Sequence, residues 1–326
     1  MGVVTYLDNF AAIPSATRHR SALGEPSITH QPSDGPKDTP VNASPTTSVK
    51  PSSALTAKAV ALAADHEAHA LQPLSSTSQK RLQSWVQRGY ALEEMGYYEE
   101  AITSFERAIV LDARCVDAWQ GRGIALAKLG YHEEALMSFG RVTRWNANDY
   151  RAWQNMGRVL MSLERHAEAL SHFDRVLLLK ADSYKAWYHR AIALDAQNKP
   201  MAALSSLDRA LKIRPECHYA WTAQGMLLGK LGRYPDAEAS FDCSLRLRGN
   251  NFGAWYGKAS FAAIQGLVEP ALENLIEAKK CSPFSVRSML KTDRRFDPIR
   301  FTLEFQRFIQ GNGEGENIDV LNSWMR

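Results

Sequence analysis

Hydrophobic positions between residues 81 and 285 recur at a fixed step. Tryptophan falls at Trp85, Trp119, Trp153, Trp187, Trp221 and Trp255, each 34 residues after the last. Alanine keeps the same step at Ala101, Ala135, Ala169, Ala203, Ala237 and Ala271. A large apolar residue keeps it at Phe105, Phe139, Phe173, Leu207, Phe241 and Leu275. A small residue follows each tryptophan by four: Gly89, Gly123, Gly157, Ala191, Gly225 and Ala259. These registers define six units, 82–115, 116–149, 150–183, 184–217, 218–251 and 252–285. Within a unit the apolar spacing is helical and comes in two blocks. Trp85, Gly89 and Leu92 share one face of a first helix, and Ala101 and Phe105, four apart, share a face of a second.

Helix boundaries are written into the same repeat. Gly96, Gly130, Gly232 and Gly266 stand where each first helix ends, and glycine there takes the left-handed conformation that closes a helix. Asn198 tolerates that conformation, whereas Glu164 is expected to be strained. Acids open the second helices at Glu99, Glu100, Glu133, Glu134, Glu168, Asp236 and Glu269, complementing the positive end of the helix dipole. Pro200, Pro235 and Pro270 lie near the same starts, where proline is tolerated. Ala113, Ala147, Ala181 and Gly249 stand at the inter-unit turns where Pro215 and Pro283 stand in two units, which predicts looser turns there.

One such hairpin cannot bury both of its apolar faces. Stacking neighbours makes a continuous core, so stability is a chain of nearest-neighbour terms. Each repeated tryptophan is expected to anchor that core, with Trp153→Ala losing about 3–5 kcal/mol.

A 34-residue period with this Trp, Gly, Ala and Phe pattern resembles the tetratricopeptide repeat family. The resemblance covers the six units and implies an all-α fold, a right-handed α-α superhelical solenoid of helical hairpins. It also implies a concave groove lined by positions 2, 5, 6, 9, 12 and 13 of each unit. Carried onto this chain, the central groove residues are Gln120 and Lys128 from unit 2, and Arg151, Gln154, Asn155 and Arg158 from unit 3. Lys185, Tyr188 and His189 follow from unit 4, then Tyr219, Met226 and Lys230 from unit 5. Met161, Thr222, Tyr256 and Ser260 are further groove positions. These residues vary while the scaffold set recurs, and bases outnumber acids among them. The function implied is a non-enzymatic interaction scaffold that binds a partner protein or peptide, an acidic or phosphorylated one being favoured. The family's clamp for chaperone-tail carboxylates is matched at Asn155 and Lys185 but not at Gln120 and Ile124, with His189 in place of an arginine, so that role is disfavoured. Val286–Leu290, Phe296-Asp297-Pro298-Ile299-Arg300, Phe305 and Phe308 resemble the closing segment of bacterial arrays, giving a cap over 286–310. The repeat flavour resembles bacterial, especially cyanobacterial, arrays, some of which assist assembly of membrane complexes. An assembly factor for a membrane protein complex, photosynthetic ones included, is therefore the alternative function.

Composition changes the picture at the ends. Residues 1–80 hold 8 of the 14 prolines, 19 Ser and Thr, and none of the 8 tryptophans. Such a leader buries too little apolar surface to offset its ordering entropy and is expected to be disordered, apart from a marginal Ala-rich helix over Ser53–Leu71. Met1–Tyr6 begins like a myristoylation signal but has Tyr6 where Ser or Thr is required. A transit peptide is the other address weighed, and Asp8, Glu25, Asp34 and Asp38 oppose it. The tail 311–326 is expected to be flexible, with Ile318, Leu321, Trp324 and Met325 forming either a short docking turn or a frayed end. A net charge of +4 is too small to indicate nucleic acid, and no apolar run reaches membrane-spanning length. The expected location is cytoplasmic, with a plastid location or a peripheral one through a membrane partner as the alternative.

Candidate chemistry is sparse. Cys115, Cys217, Cys243 and Cys281 show no paired spacing for zinc or a disulfide framework. Gly121-Arg122-Gly123 lacks the third glycine of a dinucleotide fingerprint. His132-Glu133-Glu134-Ala135-Leu136 ends in leucine where a zinc protease needs histidine, and Asp65, His66 and His69 read as solvated. Repeats and cap use nearly all the chain after residue 80. No cofactor, metal or catalytic residue is implied, and the sequence does not specify an oligomeric state.

Overall fold

The structure, a computed structural model, describes residues 75–311. The expectations for Met1–Tyr6, for Ser53–Leu71 and for Ile318, Leu321, Trp324 and Met325 lie outside the described residues. Among the described residues fourteen α-helices follow one another and no strand forms. The first unit pairs α1 (Ser76–Glu94) with α2 (Tyr98–Leu111), and the second α3 (Val116–Lys128) with α4 (His132–Trp145). The third pairs α5 (Tyr150–Ser162) with α6 (His166–Leu179), and the fourth α7 (Tyr184–Ala196) with α8 (Pro200–Ile213). The fifth pairs α9 (His218–Lys230) with α10 (Tyr234–Leu247), and the sixth α11 (Phe252–Ile264) with α12 (Val268–Cys281). A cap follows as α13 (Pro283–Leu290), a 3-10 turn at Arg294–Phe296, and α14 (Leu303–Gln310).

Each boundary has a local cause. The side chains of Asp149, Ser183 and Asn251 cap α5, α7 and α11 by accepting from backbone N–H groups. All six first helices close through a left-handed residue, as the sequence predicts. The glycines sit at φ of 74 to 85°, and Glu164 and Asn198 are held at φ of 58°. The strain anticipated at Glu164 is therefore present in the backbone.

The core is a seam between the two helices of each hairpin and the first helix of the next. Phe105, Phe139, Phe173, Leu207, Phe241 and Leu275 are all at most 1% exposed. The alanine before each of five tryptophans, Ala118, Ala152, Ala186, Ala220 and Ala254, is fully buried. Each phenylalanine ring fills the space left by a glycine sixteen residues earlier. A Cβ on Gly89, Gly123, Gly157 or Gly225 would come within 2.7 Å of the ring of Phe105, Phe139, Phe173 or Phe241. The two units with alanine at that place, Ala191 and Ala259, have leucine opposite, Leu207 and Leu275. Gly–Phe and Ala–Leu are two ways of filling one volume.

The tryptophans depart from the expected role. Trp119 is buried, but Trp85, Trp153, Trp187, Trp221 and Trp255 are half-buried at the edge of the seam. Five indoles donate Nε1–H to the carbonyl six residues earlier, at Ala113, Ala147, Ala181, Pro215 and Gly249, over 2.8–2.9 Å. An indole N–H needs a partner when it leaves water, and the inter-unit turn supplies one. Phe173, fully enclosed, is the more deeply buried anchor of its unit, with Trp153 at the seam's edge. The same bond recurs whether the turn carries proline, alanine or glycine, because any residue offers the carbonyl. The turns lacking proline thus keep the tie that the Pro215 turn has.

A polar spine also links the units, again with a spacing of sixteen. Arg122 Nε donates to Glu106 of the preceding unit at 3.2 Å, and its Nη1 to Ser138 of its own unit at 2.7 Å. Arg190 repeats this with Asp174 and Ser206, both at 2.7 Å. Gln224 joins Asp208 to Ser240, and Lys258 reaches Asp242 at 2.7 Å. The junction between units 2 and 3 has Gly140, Met156 and His172 at these three places, so acid, base and serine are replaced together.

Candidate functional site

The first helices of units 1 and 2, 2 and 3, 3 and 4, and 5 and 6 approach one another directly, whereas second helices are separated from one another by a first helix. The array therefore curves with the first helices on its inner side. Of the residues assigned to that face from the sequence, Lys128, Arg151, Arg158, Lys185 and Lys230 are exposed. Gln154, Asn155, His189, Tyr219 and Met226 are half-buried. Gln120 and Tyr188 are buried, at 6% and 8% exposure, so neither offers an open side chain. Met161, Thr222, Tyr256 and Ser260 are buried too.

Charge pairing narrows the exposed set. Lys230 is bound to Asp195 at 2.6 Å and Arg151 to Asp149 at 3.2 Å. Lys128 lies near Glu93, whose carboxyl it favours in the charged form against the effect of burial. Among the described residues, Arg158 and Lys185 have no carboxylate partner. Both act electrostatically on the His189 ring, which stacks on Phe173 at 5.5 Å and meets Tyr188 edge-on at 5.2 Å. Burial first, then Arg158 and Lys185, push the His189 pKa down to about 3, so the ring is neutral at physiological pH. Tyr188 continues the aromatic wall to Tyr219 with ring centroids 4.7 Å apart.

Three features of this face carried no sequence signal strong enough to name them. Burial raises the Tyr219 hydroxyl pKa, helped by hydrogen bonds with Cys217 and Tyr184. Arg214 Nη1 donates to the Tyr184 hydroxyl at 2.7 Å, extending that network to the unit edge. At the far end the cap occupies the sixth unit's share of the face. The Tyr256 hydroxyl donates to Asp293 at 2.9 Å, and Arg295 reaches Ser260 at 3.1 Å. Burial alone would raise the Asp293 pKa, but the hydrogen bonds from Arg295 hold its carboxyl below the usual range. By repeat position Tyr256 and Ser260 are open groove sites, because the cap has no counterpart in the repeat to reveal where it lands.

The sequence profile of the tetratricopeptide repeat matches residues 82–115 and 116–149, then 155–218, 188–242 and 222–285. Together these stretches make up more than half of the chain. The chain belongs to the tetratricopeptide repeat family. No curated protein matches it in sequence. The tetratricopeptide fold is shared with solved structures at low identity. PilF of Pseudomonas aeruginosa aligns with a TM-score of 0.58 at 15% identity, covering 69% of this chain and 99% of that one. PilW, a type IV pilus biogenesis factor, aligns with a TM-score of 0.57 at 19% identity, over 69% of this chain and 99% of PilW. The Cut9–Hcn1 complex of the APC/C gives a TM-score of 0.57 at 17% identity, over 72% of this chain and 46% of that one.

Among the described residues of this tetratricopeptide repeat chain, no cluster of three His, Cys, Asp or Glu side chains is arranged to hold a metal ion. No described helix is long and apolar enough to cross a membrane. The four cysteines are free.

Proposed function

We propose that this tetratricopeptide repeat protein is a non-enzymatic adaptor that binds an acidic segment of a partner protein on the inner face of units 3–5. One observation carries the reading: Arg158 and Lys185 stand exposed and without carboxylate partners near a half-buried, neutral histidine. Two unsatisfied cations over an apolar floor attract carboxylate or phosphate, while Tyr219 and Met226 offer adaptable contact area beside them. The neighbouring cations contribute less, because Lys230 and Arg151 are already neutralised. A clamp for chaperone tails is not supported, since Gln120, in the place of its first ligand, is buried. The role of PilW as a pilus biogenesis factor is compatible with an assembly function here, but its 19% identity speaks for the fold alone.

The reading is tested by selection from a displayed decapeptide library. Enrichment of Asp- and Glu-containing peptides over their Asn and Gln counterparts supports an acidic ligand. Equal recovery of both removes it.

A further inference from the structure

The outer surface of the array carries a second charge pattern with the same 34-residue step. Arg107, Arg141, Arg175 and Arg209 occupy one row along the second helices α2, α4, α6 and α8. Three residues further on, and hence on the same helix face, a second row holds Arg144, Lys212, Arg246 and Lys280. In units 1–5 neither row contains an acid.

Acids do lie beside these rows, and the following unit engages them. Glu106, Asp174 and Asp208 immediately precede Arg107, Arg175 and Arg209, and each is bonded to Arg122, Arg190 or Gln224 of the following unit. The polar spine thus pairs Glu106 and Asp174 with arginines of the next unit, while Asp208 is held by the neutral amide of Gln224. Arg175, Arg209 and Lys212 are exposed and make no ion pair among the described residues. The opposite edge differs, because Arg165 and Arg233 there are both paired with acids of their own turn.

Two positions of the second row are apolar. Val110 and Leu178, three residues after Arg107 and Arg175, are 51% and 79% exposed. Aliphatic side chains set in rows of bases suit the boundary layer of an anionic bilayer, where phosphates meet the cations and the acyl region takes the aliphatic tips. A nucleic acid would attract the bases but gain little from Leu178, and it favours open aromatic faces for stacking. Here five indoles are instead tied to inter-unit turns.

We propose that the outer face of the second helices is a peripheral docking surface for anionic lipid, leaving the inner face free for its peptide. The test is co-sedimentation of the full chain with phosphatidylcholine vesicles, alone or with part of the lipid replaced by phosphatidylglycerol. The chain should bind the anionic vesicles, not the neutral ones, and lose binding as salt rises. Arg175→Glu/Arg209→Glu/Lys212→Glu should weaken binding by at least about tenfold. Because these side chains are exposed, the circular dichroism and melting temperature should stay as in the wild type. Leu178→Ser should weaken binding with the salt dependence unchanged. Arg158→Glu/Lys185→Glu should sediment as the wild type does, which separates this surface from the groove. No preference for anionic vesicles, an undiminished triple variant, or charge-dependent binding to duplex DNA in place of vesicles would overturn the assignment.

Discussion

A Cβ built on Gly157 would lie 2.6 Å from Cε1 of Phe173, well inside contact distance. An exposed helical glycine replaced by alanine gains about 1 kcal/mol from propensity. Here the added methyl overpacks a closed seam, which typically costs about 1–3 kcal/mol. Gly157→Ala is therefore expected to lower the urea midpoint rather than raise it. Phe173→Leu in that background should recover much of the loss, because the fourth unit already pairs Ala191 with Leu207. Additive effects of the two substitutions would show that the ring has room to move aside.

Arg122 is 1% exposed and is the largest fully enclosed side chain. Removing one partner of a buried pair strands the other, at about 3–5 kcal/mol. Arg122→Met should destabilise on that scale, and adding Glu106→Gln should restore part of it by discharging the stranded partner. The junction with Met156 and Gly140 shows that the neutral arrangement is compatible with the fold. A denaturation midpoint unchanged in Arg122→Met would mean that Glu106 finds water instead.

His189 makes stability depend on pH. Its folded pKa is lowered to about 3, against about 6.5 unfolded. Below about pH 6.5 the unfolded chain takes up a proton that the folded chain does not, so stability falls with pH until about 3. His172 and His218, whose pKa values are lowered first by burial, act in the same direction. In His189→Phe the fall in melting temperature between pH 7 and pH 5 should be smaller than in the wild type. An identical fall in both would place the sensitivity elsewhere.

Periodicity made the scaffold legible. The small and large residues of each hairpin, the left-handed closures down to the strained Glu164, and the acids at the second helix starts all follow from one 34-residue register. The same register misjudged Trp153, because spacing reports that a position packs, not that its polar N–H must find the Ala147 carbonyl. It missed the Arg122 spine because acid, base and serine lie on three helices and read singly as surface residues. On the inner face, position within the repeat identified Arg158 and Lys185 but could not tell that Tyr188 is turned inward or that Lys230 is matched by Asp195. Burial and pairing depend on neighbours one unit away, and those contacts are not encoded in a position's place within its own unit.

The inner-face claim is tested most directly by calorimetric titration of an acidic decapeptide from the library into the wild type and into Arg158→Glu/Lys185→Glu. Both side chains are exposed, so the variant should keep its helical signal. The account predicts affinity at least about tenfold weaker in the variant, a loss of about 1.4 kcal/mol or more. Equal affinity in the two folded proteins would contradict it.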